Sequence, residues 1–236
     1  MTTSLTLPLC AIGLTAIAAA AATDASRPGG ASSASQGAGW KTLFDGTTTK
    51  GWHGYKKPGP VEGWQVVDGA LVRQGKGGDL VTDEEFDDFE LSLEWKLTTG
   101  GNSGIFYRAP EDAEAIWHHA IEYQILDNAA HRDGQNAKRS AGSAYDLYEP
   151  VRDVTKPVGE WNETRIIARG NHVEHWLNGT KLLEFEIGSP DWVERVSASK
   201  FNPYREFGKA RKGRISLQDH GNVVSFRNIR IRPITS

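Results

Sequence analysis

Trp117-His118-His119-Ala120-Ile121-Glu122-Tyr123-Gln124-Ile125-Leu126-Asp127-Asn128 decides how this chain is read. From 120 to 126 polar and apolar residues alternate. Ile121, Tyr123 and Ile125 fall on one face, and Glu122, Gln124 and Leu126 on the other. That two-residue period belongs to a strand with one buried face. At about 3.3 Å per residue, Glu122 and Gln124 stand roughly 7 Å apart on the same side. A carboxylate beside an amide, just after a pair of histidines, is poor packing material. It is suitable equipment for holding a polyol and moving a proton. The plainer alternative is the solvated outer face of an antiparallel strand.

Working outward, residues 129–144 are long, polar and Gly-containing, so they predict a loop that carries function or disorder. Residues 161–168 read as a strand. Residues 172–177 and 181–187 form a hairpin with Asn178-Gly179 at its tip, and 64–72 form another around Asp68-Gly69. Ser189-Pro190-Asp191 opens a short helix, with Ser as N-cap, Pro at the first position and an acid in the first turn. Upstream, 86–97 alternates with Phe89, Leu91, Leu93 and Trp95 on one side, and 103–108 is a further strand. Residues 213–218 and 223–231 close the sheet, and 109–117 is a loop with room for one helical turn. Many strands, turn signals every ten or so residues and almost no helical period predict an all-β fold, a jelly-roll β-sandwich with one or two short helices.

The chain has 236 residues and a formal net charge of -3, with 27 basic and 30 acidic side chains. No basic surplus points to nucleic acid. Eight Trp in a Gly-rich β protein suit sugar binding, since an indole covers the apolar face of a pyranose; packing of the sandwich core is the alternative use. Residues 1–25 read as a signal peptide, 26–39 as a flexible linker and 40–236 as the folded domain. Export to a bacterial periplasm or cell surface is expected. Membrane attachment is expected only through an N-terminal anchor at Cys10, although Leu7-Pro8-Leu9 lacks the small residues that usually precede a lipidated cysteine.

Seven motifs then occur in order: Phe44-Asp45-Gly46; Gly101-Asn102-Ser103-Gly104-Ile105-Phe106-Tyr107-Arg108; Glu122-Tyr123-Gln124-Ile125-Leu126-Asp127; Tyr145-Asp146-Leu147-Tyr148; Gly159-Glu160-Trp161-Asn162; His175-Trp176-Leu177-Asn178-Gly179; and Gly213-Arg214-Ile215-Ser216-Leu217-Gln218-Asp219-His220-Gly221. Together they resemble the 3-keto-disaccharide hydrolase family, formerly a domain of unknown function, across about 40–233. The resemblance implies a concanavalin A-like jelly roll, bacterial secretion, and action on glycosides oxidised to a ketone at sugar carbon 3.

A ketone at carbon 3 acidifies the hydrogen on carbon 2. A base removes it, the aglycone leaves from carbon 1, and water adds to the resulting enone. This route needs a base, a partner for the enolate oxygen and an acid for the leaving group. Glu122, His220 and Lys200 are the catalytic candidates. Gln218 and His220 share a face, while Lys200 reads equally as a solvated lysine. Asn102, Arg108, Gln124, Asp127, Asp146, His175 and Gln218 are the substrate-binding candidates. Against this, His175 lies on the apolar side of its strand, and Asn and Asp favour turns for backbone reasons. Glu122, Gln124, Gln218 and His220 are expected to converge on one concave face with Arg108. No cofactor is implied with certainty. His118, His119, Glu122, Asp146 and His220 could supply donors to a divalent metal, but no tight motif fixes their geometry. The competing reading is a noncatalytic carbohydrate-binding module on the same fold. A retaining glucanase would want a second carboxylate about 5 Å from the first, and Gln124 stands in that place.

Overall fold

The computed structural model describes residues 1–2 and 39–234. The leader expected over 1–25 (beyond its first two residues), the linker up to residue 38 and Cys10 lie outside the described residues. In chain order the described strands are β1 (Lys41–Thr42), β2 (Trp52–Gly54), β3 (Trp64–Val67), β4 (Ala70–Arg73) and β5 (Leu80–Thr82). β6 (Phe89–Leu97), β7 (Asn102–Ala109), β8 (Ile121–Leu126) and β9 (Asn162–Arg169) follow. The last are β10 (His172–Leu177), β11 (Thr180–Glu186), β12 (Arg214–Leu217) and β13 (Val224–Pro233), with helix α1 (Pro190–Ser197) between β11 and β12.

Two antiparallel sheets face each other. The larger runs β11-β10-β9-β6-β13-β4-β3, with β1 added beside β13; the smaller runs β2-β5-β12-β7-β8. The local signals are where the sequence puts them. Asp68-Gly69 and Asn178-Gly179 turn the two hairpins with positive φ at all four residues, 50°, 75°, 48° and 78°, as tight two-residue loops require. The Ser189 hydroxyl caps α1 by accepting from the Trp192 N–H at 3.2 Å. Apolar residues from both sheets fill the space between them: Phe89, Leu91, Leu93, Trp95 and Phe226 from the larger, Leu80, Ile105, Tyr107, Tyr123, Ile125 and Ile215 from the smaller. Each alternates with residues pointing out, so one strand supplies both core and open face.

The smaller sheet positions the site. Its last strand, β8, has its free edge covered by 142–145, a segment that follows the long polar loop. The Gln124 N–H donates to the Ser143 carbonyl at 3.1 Å, the Gly142 N–H to the Gln124 carbonyl at 2.8 Å, and the Tyr145 N–H to the Glu122 carbonyl at 3.0 Å. The loop predicted over 129–144 is thus pinned along the strand that carries Glu122. At the other end of that face a smaller apolar cluster forms from Val81, Phe106, Ala109, Ile116 and Ala120. Segment 109–120, with its single 3-10 turn Ile116–His118, folds over the sheet there.

Candidate active site

Strand register places the site residues. Phe106 pairs with Glu122 and Gly104 with Gln124. Ser216 pairs with both Phe106 and Val81. Their neighbours Ile105, Tyr123, Ile125, Ile215, Leu217 and Leu80 lie in the main core. Glu122, Gln124, Gly104, Ser216, Gln218 and Asp79 therefore fall on the face turned away from it. The solvated alternative for this face is overturned at its centre, where Glu122 is 6% exposed and Gln124 1%.

Glycine 104 is what admits the carboxyl. A Cβ built on Gly104 would run into the Glu122 carboxyl, 2.9 Å from its Cγ and 3.0 Å from its Cδ. The Glu122 side chain thus lies directly on the Gly104 backbone, in space that any other residue would fill. Gln218 donates to it. Burial pushes its pKa well up, to about 8, against the opposing pull of Lys200 and with help from the like charges of Asp79 and Asp133. Burial thus favours the form of Glu122 that has a proton to give.

Lys200 follows α1, and its residue as a whole is exposed. Its ammonium nevertheless lies over the rings of Tyr145 at 4.3 Å and Trp117 at 4.9 Å. Burial among these rings lowers its pKa, opposed by Glu122 and Asp146. Several polar atoms on this floor are buried without a protein partner: Gln124 Nε2, Gln218 Oε1, Asn102 Oδ1 and Ser216 Oγ. One amide donor and two amide acceptors left open beside a carboxyl match the alternating donors and acceptors of a polyol.

The sequence reasoning missed other members of the site. Asp79 precedes β5 on the same face, and burial pushes its pKa up to about 6. Asp133, from the polar loop, accepts from the Tyr145 hydroxyl at 3.3 Å. His131, from the same loop, accepts the Asp133 N–H at 3.2 Å on Nδ1 and turns Nε2 toward Asn102. The length and polarity of 129–144 signalled this loop as a whole. Nothing in its sequence singled out which members point inward.

Other candidates lie elsewhere. Arg108 does not share the face of Phe106. Between the pairs Phe106–Ser216 and Ala109–Arg214, β7 carries one more residue than β12, a bulge, and Arg108 adopts φ 48°. Its guanidinium is turned to the Asp88 carboxylate at 2.8 Å and to the carbonyls of Asp87 at 2.9 Å and Gly170 at 2.7 Å. It ties sheet ends together and is not available to a substrate at Glu122. His175 is 0% exposed. It bonds the Tyr107 hydroxyl at 2.9 Å and the Gly142 carbonyl at 3.0 Å, and burial lowers its pKa to about 4. It is a satisfied core histidine. Asp127 accepts from the N–H groups of Gly100, Ala129 and Ala130, which makes it a turn clamp. Asp146, at φ 62°, pairs with Arg139 at 2.8 Å, and its charge is felt by Lys200 and Tyr145. His220 stays at the rim of the site itself, edge-on to His131 at 6.3 Å, where partial burial and the neighbouring His131 lower its pKa.

The metal donors named from the sequence do not gather. His118 stacks on Tyr204 at 4.1 Å, and His119 bonds Asp112 at 2.9 Å. Both sit in or just after the 3-10 turn rather than on β8. Among the described residues, three such donors come within 4.8 Å of one another at His172, Glu174 and Glu184, on the larger sheet.

Residues 39–232 match the family described as the 3-keto-alpha-glucoside-1,2-lyase-like domain. The chain belongs to this family. A relative from Bacteroides thetaiotaomicron, a 3-keto-disaccharide hydrolase, is 37% identical over 226 residues, covering 82% of this chain and 78% of the relative. A crystal structure of a candidate glycosyl hydrolase from Parabacteroides distasonis is 33% identical with a TM-score of 0.78, over 84% of this chain and 94% of that one. The carbohydrate-binding module CBM66 from Bacillus subtilis, at 13% identity and TM-score 0.50 over 77% and 95% of the two chains, shares the fold alone. As a family member this chain is a glycosidase-type hydrolase on a jelly-roll sandwich, and Glu122, Gln124 and Gln218 form the polar centre of its smaller sheet.

Proposed function

We propose that this protein is an exported enzyme that cleaves 3-keto glycosides by removing the hydrogen on carbon 2 and expelling the aglycone. Water then adds to the enone, so the net result is hydrolysis. The observation that carries this reading is the placement of Glu122. It is a buried carboxyl lying on Gly104 and bonded by Gln218, with the Lys200 ammonium beside it, and its burial favours the protonated form. A protonated acid suits the departing aglycone oxygen. An ammonium in a partly dry setting suits the negative charge that develops on the carbon-3 oxygen. The open amide atoms of Gln124, Gln218 and Asn102 suit sugar hydroxyls.

The printed name of the Bacteroides relative supports a 3-keto disaccharide as substrate. Export rests on the apolar, Ala-rich 5–22 and the small residues that follow. A second reading draws on Asp79. Two carboxyl groups well separated on one face also suit direct, inverting hydrolysis of an unoxidised glycoside.

The test is aglycone release from a 3-keto glucoside beside its unoxidised parent. We expect turnover of the keto substrate, with the parent slower by at least a thousandfold. Comparable turnover of the parent, with inversion at carbon 1, would establish the second reading instead. Sugar binding without any turnover would return the protein to the class of binding modules.

A further inference from the structure

The elimination needs a base that takes the hydrogen on carbon 2 as well as a group that gives the aglycone its proton, and Glu122, lying on Gly104, fills only the second role. We propose that Asp79 is that base, and that Asp79 and Glu122 exchange roles between the elimination and the hydration. This rests on the 3-keto reading above.

Leu80 pairs with Leu217 in an antiparallel register, so Asp79 stands opposite Gln218. The leucines point into the core, and Asp79 and Gln218 point to the open face. The Gln218 N–H donates to the Gly104 carbonyl at 2.9 Å, which puts Gly104 next in the row, and the Glu122 carboxyl lies over Gly104. Adjacent strands are about 4.8 Å apart, so the Asp79 and Gly104 backbones are separated by roughly 10 Å. A sugar ring standing over Gln218 would have one carboxyl on either side.

The Asp79 carboxylate is also held in place. Its Oδ1 accepts the Asp219 N–H at 2.8 Å. The ionisable groups facing it are Asp219 beyond β12, Lys57 and Tyr55 beyond β2, and Glu122 on β8. Burial is the largest influence, and the net result is a pKa of about 6. Burial raises Glu122 further than Asp79, so Asp79 ionises first, the order that a base and an acid require.

Asp79 takes the proton from carbon 2, and the C–H electrons form the enolate with carbon 3. The enolate then collapses: the ketone returns, a double bond forms between carbons 1 and 2, and the bond from carbon 1 to the aglycone oxygen breaks as that oxygen takes the Glu122 proton. In the second half, ionised Glu122 takes a proton from the water that adds to carbon 1, and Asp79, whose proton exchanges with solvent once the aglycone has left, protonates carbon 2.

The test isolates the base with a sugar that has no leaving group, 1,5-anhydroglucitol oxidised at carbon 3. Exchange of its carbon-2 hydrogen in D2O is followed by proton NMR, beside cleavage of a 3-keto glucoside. Wild type, Asp79→Asn and Glu122→Gln are compared. Asn retains an oxygen to accept the Asp219 N–H, so the fold is preserved. We expect wild type and Glu122→Gln to exchange at rates within about threefold of each other, while Asp79→Asn binds the ligand but exchanges at least a hundredfold more slowly. Wild-type exchange in Asp79→Asn would overturn the assignment. So would loss of exchange in Glu122→Gln alone, which would make Glu122 the base. So, too, would a wild type that cleaves the keto glucoside without exchanging the anhydro sugar. A wild type that neither exchanges nor cleaves would remove the 3-keto reading itself, and this role with it.

Discussion

Glu122→Gln lowers kcat/KM on a 3-keto glucoside by about a thousandfold, within the range for removal of a general acid or base, and leaves the fold intact. The substitution is close to isosteric. It replaces a group already uncharged near neutral pH. An amide oxygen still accepts from Gln218, so the buried environment loses little. What disappears is the transferable proton. The pH dependence carries a second signature. Burial raises the Glu122 pKa to about 8, so wild-type activity that needs its protonated form is full below that value and falls as pH rises through it. That alkaline limb is absent from the residual activity of Glu122→Gln. A limb that persists unchanged in the variant would assign the titration to another group and count against Glu122 as the acid. Lys200, whose ammonium is also lowered by burial, is the first alternative.

The second large effect is at a residue with no functional group. Gly104→Ala places a methyl where the Glu122 carboxyl now lies. The obstacle is a side chain that can rotate, so the protein yields there rather than unfolding. The expected cost in stability is that of a modest overpacking, about 1–3 kcal/mol. For a domain of this size that corresponds to a fall in Tm of roughly 2–4 °C per kcal/mol. The cost in activity is larger, about a hundredfold or more in kcat, because a displacement of about 1 Å at a proton donor is that damaging. Thermal unfolding and steady-state kinetics on the same preparation separate the two. A variant with near-wild-type kcat would show that Glu122 functions equally well off the Gly104 backbone, and the close approach would then have no catalytic meaning.

What the sequence allowed to be read follows from the physics of strands. Alternation over 120–126 put Glu122 and Gln124 together and sent Ile121, Tyr123 and Ile125 to the core, and register did the rest with Gln218. The Asn-Gly and Asp-Gly turns and the Ser-Pro-Asp helix start were legible because each rule involves only adjacent residues. Arg108 was misplaced for the same reason. Alternation extrapolates from Phe106, and a single extra residue in β7 opposite β12 turns the side chain to the other side. A bulge depends on a partner strand more than a hundred residues away, so no local pattern announces it.

His175 shows the opposite case. Its apolar flanks Val173 and Leu177 pointed inward, and the core reading that this favoured is where the structure puts it, against the Tyr107 hydroxyl. Asp79 was passed over because it directly follows a glycine-rich turn and precedes a three-residue strand, too short for alternation to register. Only its pairing opposite Gln218 brings it to the site. His131, Asp133 and Tyr145 belong to a segment whose shape is set by hydrogen bonds to the edge of β8. Such contacts follow from tertiary structure and have no period of their own.

The central claim is that the glycosidic bond breaks by loss of the hydrogen on carbon 2. The most direct measurement is the isotope found at that carbon when wild-type enzyme cleaves a 3-keto glucoside in D2O, read by NMR at early times, before free product exchanges. The account predicts that the hydrogen originally on carbon 2 is lost in every turnover. The released 3-keto sugar then carries deuterium there, or an enone intermediate accumulates with none. A released sugar that retains its original hydrogen on carbon 2 would mean direct displacement at carbon 1, and would contradict the account.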